Sequence, residues 1–173
     1  MNLESFIRDV PDFPKAGIVF KDITPMLADP AAMRGVVAQL AAPYRDAGVD
    51  VVVGMESRGF IFGPAVACEL GAGFVPTRKP GKLPAETISE SYELEYGTDT
   101  LEIHADAIKP GQKVLMVDDL IATGGTMAAA CALVKRLGGE IVGAAFVIEL
   151  SFLNGRDKIP GVEVMSLMQV TGE

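Results

Sequence analysis

Short apolar runs along the chain predict the strands of a buried sheet. Four such runs lie at residues 51–53, 73–77, 114–117 and 141–148. Most of their residues are valine, isoleucine or other apolar types that favour strands, with little alternation of polar and apolar positions. Strands that are apolar on both faces are typical of a parallel sheet covered on both sides.

Helical spacing separates these runs. Asp29 and Pro30 form a helix start signal, and apolar residues then recur every three or four positions until Gly48. Similar patterns follow the first and third strands, at 61–70 and 129–137. Strands alternating with helices predict an α/β fold with a central, mainly parallel sheet flanked by helices.

One segment, residues 79–99, breaks this alternation with two prolines, two glycines and several Ser and Thr. Polar and apolar residues then alternate from 101 to 106, which is typical of a half-exposed strand. We therefore predict a long, mobile hairpin arm at about 79–105. Long loops in compact domains are often functional, and the apolar residues of this one are suited to packing on a closed state.

Length and charge narrow the class of protein. The chain has 173 residues, the size of one domain, and we expect residues 1–173 to fold as a single unit. Its net charge of −8 disfavours a nucleic-acid partner. No apolar run approaches the ~18 to 20 residues of a membrane span, and the N-terminus does not resemble a secretion signal. Cys68 and Cys131 lie on predicted helices, where we expect buried, reduced thiols. These features predict a cytoplasmic protein without a membrane partner.

The segment VLMVDDLIATGGT, residues 114–126, carries the strongest chemical signal. It predicts a buried strand that ends at Asp118 and Asp119 and a small-residue loop that leads into a helix. Ligands of open α/β sheets bind at the carboxyl ends of the strands. Backbone N–H groups at a helix N-terminus favour a phosphate. Such N–H groups would come from Thr123, Gly124, Gly125 and Thr126, and the two threonines would add two hydroxyls.

The two aspartates require a partner other than phosphate, because adjacent anions would repel it. Carboxylates suit either the hydroxyls of a sugar or a hard cation such as magnesium. Together with the phosphate loop, Asp118 and Asp119 suggest a ribose 5-phosphate. The alternative is a solvated turn in which the aspartates cap the next helix; the buried run before them argues against it.

Two basic features add candidate anion sites. Arg58, in a turn after the first strand, is suited to binding a diphosphate or to a surface ion pair with Glu56 or Glu69. A basic cluster at the start of the arm either is solvated or collects an anionic substrate: Arg78, Lys79 and Lys82.

Other common sites are not supported. The chain lacks a P-loop motif, and its single histidine, His104, follows the alternation of an exposed strand. The two cysteines have no paired spacing, so we expect no resident metal site.

Segment 114–126 resembles the phosphoribosyl-diphosphate-binding motif of the type I phosphoribosyltransferases. Three more segments are similar to the adenine-specific members of that family: DFPKAGIVFKDITPML from Asp12, ESRGFIFGPAVA from Glu56, and RKPGKLP with SYELEYG between Arg78 and Gly97. In the expected order, the four segments span nearly the whole chain. The resemblance implies a type I phosphoribosyltransferase fold with an N-terminal hood at about 1–28 and the mobile arm at about 79–105.

The activity that the resemblance implies is purine salvage. The phosphoribosyl group of 5-phosphoribosyl 1-diphosphate would pass to N9 of adenine, giving AMP and diphosphate, with magnesium carried mainly by the substrate. The resemblance also implies a homodimer, in which a basic arm residue can reach the neighbouring site. Two alternatives stay open: a related transferase for hypoxanthine, guanine or orotate, and a non-catalytic regulator that binds phosphoribosyl diphosphate.

The resemblance also assigns roles to residues. Asp118 and Asp119 would hold the ribose hydroxyls. The 5-phosphate would lie in the loop formed by Ala122, Thr123, Gly124, Gly125 and Thr126. The diphosphate would be bound by Glu56, Ser57, Arg58, Arg78, Lys79 and Lys82.

At the base, Phe13 and Leu150 would pack near the purine ring, while the backbone of Val19 and Lys21 would read its polar edge. Read alone, the two apolar residues are equally consistent with an ordinary core. Glu95 in the arm would assist proton movement at the purine as the catalytic residue. Without the resemblance, it is a polar residue on an exposed hairpin.

Overall fold

A five-stranded parallel sheet forms the centre of the computed structural model, which describes residues 2–93 and 97–172. Strands and helices are numbered along the chain. In spatial order the sheet contains β4 (Gly73–Thr77), β3 (Val51–Met55), β7 (Lys113–Ile121), β8 (Glu140–Leu150) and β9 (Val164–Val170). The register places Val53 beside Met116, and Val117 beside Ala145. The predicted α/β class, with a mainly parallel sheet, is confirmed.

Helices cover both faces of the sheet. On one face lie α1 (Thr24–Ala28), α2 (Pro30–Ala41) and α3 (Gly59–Leu70), and on the other lies α4 (Gly125–Arg136). Alternate residues of the central strands serve the two faces: Val53 belongs to the core under α4, whereas Val52 belongs to the core under α2 and α3. Both are fully buried, as the runs without alternation predict.

The start signal of α2 acts as predicted. The Asp29 carboxylate accepts hydrogen bonds from the N–H groups of Ala31 and Ala32, at 2.9 and 2.8 Å, and Pro30 occupies the first helical position. The helix ends at Ala41, and a 3₁₀ turn (Ala42–Tyr44) continues the helical spacing toward Gly48.

Two antiparallel hairpins accompany the central sheet. The N-terminal hairpin pairs β1 (Arg8–Pro11) with β2 (Val19–Asp22), and the arm pairs β5 (Thr87–Glu93) with β6 (Thr98–His104). Leu101 and Ile103 of β6 are buried in the core under α4, so the predicted half-exposed strand is confirmed. The Arg136 side chain donates to the Ser89 carbonyl at 2.7 Å and further ties the arm to α4.

The expectation for the cysteines is half wrong. Cys131 is buried, and burial raises the pKa of its thiol to about 11. Cys68 is exposed, because it lies on the side of α3 that faces away from the sheet while Val66 and Ala67 fill the core. Among the described helices, none has the length and apolar character needed to span a bilayer.

Candidate active site

The two aspartates lie inside a strand rather than after it. The pattern of apolar residues ends at Val117, but β7 continues to Ile121 because its pairing with β8 continues, with Asp118 beside Phe146 and Leu120 beside Ile148. The carboxylates therefore extend from rigid, paired backbone at the carboxyl end of the central strand. The expectation that the strand ends at Asp118 and Asp119 is wrong, because it continues to Ile121.

A cavity of about 390 Å³ opens at this end of the sheet. That volume is within the usual range for small-molecule sites. Its wall combines the turn after β3, the end of β7, the loop before α4, the first turn of α4 and one residue of β8: Glu56, Ser57, Arg58, Asp118, Asp119, Leu120, Ile121, Ala122, Thr123, Gly124, Gly125, Thr126, Met127 and Phe146. The structure thus brings together the predicted ribose, 5-phosphate and part of the predicted diphosphate residues.

Arg58 pairs with Asp119 across the cavity. Its Nε donates to the Asp119 carboxylate, which is only 5% exposed. The guanidinium also lies 5.5 Å above the ring of Phe20, a cation–π contact that brings β2 to the rim of the cavity. The alternative of a surface pair with Glu56 or Glu69 is wrong: Glu69 instead accepts from Arg45 at 2.5 Å.

Asp118 has an unusual environment. Burial raises the pKa of its carboxyl well above the ordinary value, and the negative charge of Asp119 raises it further. Its Oδ1 accepts a hydrogen bond from the Asp119 N–H at 2.9 Å, and Arg58 offsets only part of the repulsion. The two neighbouring aspartates thus differ in their electrostatic setting.

Glu56 accepts hydrogen bonds from all three basic residues at the start of the arm. Its carboxylate accepts from Arg78 Nε at 3.0 Å, the Lys79 N–H at 3.0 Å and Lys82 Nζ at 2.6 Å. Burial alone would raise the pKa of Glu56, but these hydrogen bonds outweigh it and the pKa is lowered. The peptide bond between Glu56 and Ser57 is cis.

The remaining arm cation pairs elsewhere, because the Lys79 ammonium donates to Asp99 on β6. Arg78, Lys79 and Lys82 do not line the cavity itself. All three are nevertheless hydrogen-bonded to Glu56, a residue of its wall: Arg78 and Lys82 through their side chains and Lys79 through its backbone N–H.

The loop before α4 makes close contacts that sequence reasoning did not find. Gly124 has a φ of +81°, and a Cβ there would lie 2.2 Å from the Gly155 carbonyl oxygen. The Thr126 hydroxyl donates to the Tyr92 hydroxyl of β5 at 3.2 Å. Phe20, Tyr92 and Gly155 are thus site neighbours that were missed; the alternation of Phe20 with Val19 and Lys21 was the available signal for the first.

A second cavity, also about 390 Å³, contains three of the four residues predicted at the base. Val19, Lys21 and Leu150 line it, with Phe152 and Leu153 among their neighbours. Phe13 does not line it; its ring is 51% exposed and contacts Phe20 edge to face, with 5.2 Å between ring centroids.

The predicted catalytic residue, Glu95, lies outside the described residues. Within residues 2–93 and 97–172, no three His, Cys, Asp or Glu side chains are grouped so that they could bind a metal ion.

Comparison with known proteins defines the class first. The phosphoribosyl transferase domain model matches residues 26–163. At the level of individual relatives, the chain is 57% identical over 169 residues to the adenine phosphoribosyltransferase of Halothermothrix orenii, covering 98% of this chain and 99% of that one. The chain therefore belongs to the phosphoribosyl transferase domain family and, within it, to the adenine phosphoribosyltransferases.

Solved structures agree. The crystal structure of adenine phosphoribosyltransferase from Thermoanaerobacter pseudethanolicus superposes with a TM-score of 0.94 at 52% identity, covering 97% of this chain and 98% of that one. The Saccharomyces cerevisiae enzyme, solved with an imino-altritol bisphosphate and adenine, gives 0.90 at 43% identity, covering 95% and 96%. The predicted type I phosphoribosyltransferase fold and the predicted family are confirmed.

Proposed function

We propose that the cavity at the end of β7 transfers the phosphoribosyl group of 5-phosphoribosyl 1-diphosphate to N9 of adenine, forming AMP and diphosphate. One observation carries this proposal: two adjacent carboxylates on β7 and the backbone loop at the start of α4 line the same cavity. The hydroxyls and the 5-phosphate of one ribose require such a pairing of acceptors and N–H donors.

Asp118 and Asp119 would accept hydrogen bonds from the ribose hydroxyls. Asp119 already accepts from Arg58, so a hydroxyl donor competes with that guanidinium or shares the carboxylate with it. The raised pKa of Asp118 reflects burial and charge repulsion, and a hydrogen bond from a ribose hydroxyl would offset part of both by stabilising the charged carboxylate.

The loop from Ala122 to Thr126 would hold the 5-phosphate. The first turn of α4 presents unpaired N–H groups, and its helix dipole favours an anion at that end. Thr123 adds a hydroxyl donor, and Thr126 would add a second once its hydroxyl turns from Tyr92 to the phosphate.

Charges beside the turn after β3 support a diphosphate there. Ser57 and Arg58 line the cavity. Arg78 and Lys82 both reach Glu56 on the same wall, and Lys79 is adjacent, so a diphosphate would compete with carboxylates that these cations already contact. Exchange of one anion for another keeps the cations paired throughout the reaction.

The base would lie against the free edge of the N-terminal hairpin. In the described chain β2 has a strand partner, β1, on one side only, and the Lys21 ammonium is occupied by Asp9 at 2.7 Å. The backbone groups of Val19 and Lys21 at that edge would then be the polar partners of the purine.

Apolar side chains would pack on the purine ring. Leu150 and Phe13 are assigned there by the resemblance, and we add Phe20, whose ring lies beneath Arg58 at the rim of the cavity. An amide N–H and a carbonyl discriminate adenine from hypoxanthine, because the two bases exchange donor and acceptor positions.

Glu95 would assist removal of the N9 proton as the new glycosidic bond forms. Departure of diphosphate from C1 builds positive charge on the sugar, as in glycoside chemistry, and a general base typically contributes roughly 10²- to 10⁴-fold to such a step. Residues 79–105 would act as the mobile arm that excludes water, and residues 1–28 as the hood over the base, within a single domain.

Magnesium would enter the site as part of the substrate. Asp118 and Asp119 suit either hydroxyls or a hard cation. Because Asp119 already pairs with Arg58, we place the ion on the diphosphate of the incoming substrate. From the family resemblance we also propose a cytoplasmic homodimer, and light scattering of the purified protein tests the dimer.

The test of the site is AMP formation from adenine and magnesium phosphoribosyl diphosphate. Wild-type protein should form AMP, and the double variant Asp118→Asn with Asp119→Asn should form none while keeping its circular dichroism spectrum and a cooperative thermal transition. Asp46→Asn, at an exposed position away from the cavity, is the matched control and should keep full activity. Unchanged activity in the double variant would refute this site.

A further inference from the structure

A buried carboxylate that the proposed reaction does not use is next to residues of both cavities: its residue is paired with Ile121 of the first and precedes Leu150 of the second. Glu149, near the end of β8, is 5% exposed and lines neither cavity. Arg156 forms a bidentate ion pair with this carboxylate, which we call the fork: Nε donates to Oε1 and Nη2 donates to Oε2, each at 2.6 Å. Ser166 also donates to Oε2, at 2.6 Å. The hydrogen bond from Arg156 is the main reason why the pKa of Glu149 is lowered.

The fork closes a short loop. Six residues, 150–155, connect Glu149 to Arg156, and we call this segment the 150–155 strap. Arg156 Nη1 also donates to the Val164 carbonyl at 3.0 Å, which fixes the strap to the start of β9 as well as to the end of β8. Bidentate guanidinium–carboxylate pairs restrict orientation as well as distance.

One end of the strap abuts the proposed 5-phosphate loop. A Cβ on Gly155 would lie 2.3 Å from the Ala122 carbonyl oxygen, and a Cβ on Gly124 would lie 2.2 Å from the Gly155 carbonyl oxygen. This reciprocal approach of two backbones leaves no side chain between them. The position of Gly155 therefore limits where Ala122 and Gly124 can lie.

The other end forms the wall of the proposed base site. Leu150, Phe152 and Leu153 all line the second cavity, together with Val19 and Lys21. A single six-residue segment thus contacts the base pocket at its start and the phosphate loop at its end. Both ends are fixed by one ion pair.

We propose that Glu149 and Arg156 are positioning residues that hold the base pocket and the 5-phosphate loop at a fixed separation through the 150–155 strap. This inference rests on the proposed function, because it takes the two places as binding the two ends of one nucleotide. Misplacement of a binding group by about 1 Å can reduce catalysis by roughly 10²-fold, so a strap that controls this separation affects any ligand that spans it.

The test is calorimetric binding of two ligands. AMP would occupy both the base pocket and the 5-phosphate loop, whereas magnesium diphosphate would occupy neither. Arg156→Met should weaken AMP by roughly 10- to 100-fold and leave diphosphate binding unchanged. The double variant Glu149→Gln with Arg156→Met should bind AMP no more weakly than the worse single variant, because the two residues act as a unit. Arg156→Lys keeps the charge without the fork and should fall between wild type and Arg156→Met.

Two controls separate positioning from loss of stability. Arg156→Met leaves Glu149 unpaired and is expected to lower the melting temperature, whereas the double variant avoids the buried lone charge and serves if the single variant does not fold. Ile108→Ala removes buried side-chain volume just before β7, at the amino ends of the central strands and away from the site, and should lower stability without weakening AMP binding.

AMP affinity in Arg156→Met equal to that of Ile108→Ala would overturn the strap proposal, as would equal weakening of AMP and diphosphate. If wild-type protein and Arg156→Met bind AMP with the same high affinity, the strap proposal alone is overturned. Wild-type protein that does not bind AMP overturns the proposed function as well.

Discussion

Arg58 donates a hydrogen bond to Asp119, although the two residues are assigned to different parts of the substrate. Arg58 comes from the turn after β3 and Asp119 from the end of β7, and the parallel pairing of these strands brings their carboxyl ends together. The pair keeps a buried carboxylate neutralised and holds the guanidinium over the cavity. It must be shared or exchanged when a ribose hydroxyl and a diphosphate bind.

Replacement of this arginine should weaken the sugar substrate. We expect Arg58→Gln to raise the KM for phosphoribosyl diphosphate by roughly 10- to 100-fold, the usual effect of losing a charged hydrogen bond, with a smaller effect on the KM for adenine. Steady-state kinetics at varied concentrations of each substrate measure both constants. Arg45→Gln removes an exposed pair with Glu69 and should change neither. An unaltered KM in Arg58→Gln would remove Arg58 from the diphosphate site.

Asp118 should reduce stability at neutral pH. Its pKa in the folded protein is raised by burial and by Asp119, so the folded state holds a proton that the unfolded chain has already released. Stability is therefore lost as pH rises from the ordinary pKa of an aspartate through the raised value.

Asp118→Asn removes this penalty. We expect the variant to melt above wild type at pH 7, by ~2 to 4 °C for each kcal/mol gained, and the difference to shrink as pH falls toward 4. Thermal unfolding followed by circular dichroism between pH 4 and 8 measures it. A variant that melts below wild type at every pH would contradict the raised pKa.

Tyr92 should compete with a bound phosphate for the hydroxyl proton of Thr126. The Thr126 hydroxyl has one proton, and donating it to Tyr92 at 3.2 Å leaves none for a phosphate oxygen. Tyr92→Phe should therefore tighten ribose 5-phosphate by roughly 2- to 10-fold, the net value of one neutral hydrogen bond. Titration calorimetry tests this, with Tyr44→Phe, in the core on the α2 face, as the matched control. Weaker binding would mean that Tyr92 supports the loop instead.

Gly124 offers a test of close approach that is separate from backbone strain. Gly124 and Gly111 have φ angles of +81° and +82°, but a Cβ meets the Gly155 carbonyl only at the first, with nothing within 4 Å at the second. Gly111→Ala should cost about 1 to 2 kcal/mol and keep activity. Gly124→Ala should lose substantially more stability than Gly111→Ala. It should also form no detectable AMP. Equal melting temperatures in the two variants would contradict the close contact.

The central strands were predictable because their chemistry is local. Valine-rich runs that are apolar on both faces, such as 51–53 and 114–117, admit few places other than a covered parallel sheet. The short, polar β1 carries no such signal, so the N-terminal hairpin was not predicted as strands. The end of β7 was misplaced because strand pairing, which the sequence of one strand does not contain, extends through Asp118 and Asp119.

The candidate site follows the same division. The loop of Thr and Gly residues after β7 could be found from the sequence, since its residues are adjacent. The pairing of Arg58 with Asp119, 61 residues apart, depends on strand order. The contact of Gly124 with Gly155 depends on how a distant turn packs, which no local pattern records.

The measurement that tests the whole account is nucleotide formation with four bases offered separately. Purified wild-type protein is supplied with magnesium phosphoribosyl diphosphate and adenine, hypoxanthine, guanine or orotate, and the products are separated by chromatography. The account predicts AMP from adenine and a rate at least roughly 10⁴-fold lower in kcat/KM for the other bases, since a mismatched backbone donor and acceptor would be buried at the base edge. Comparable turnover of hypoxanthine would contradict the reading of adenine by Val19 and Lys21, and no turnover of any base would contradict the transferase itself.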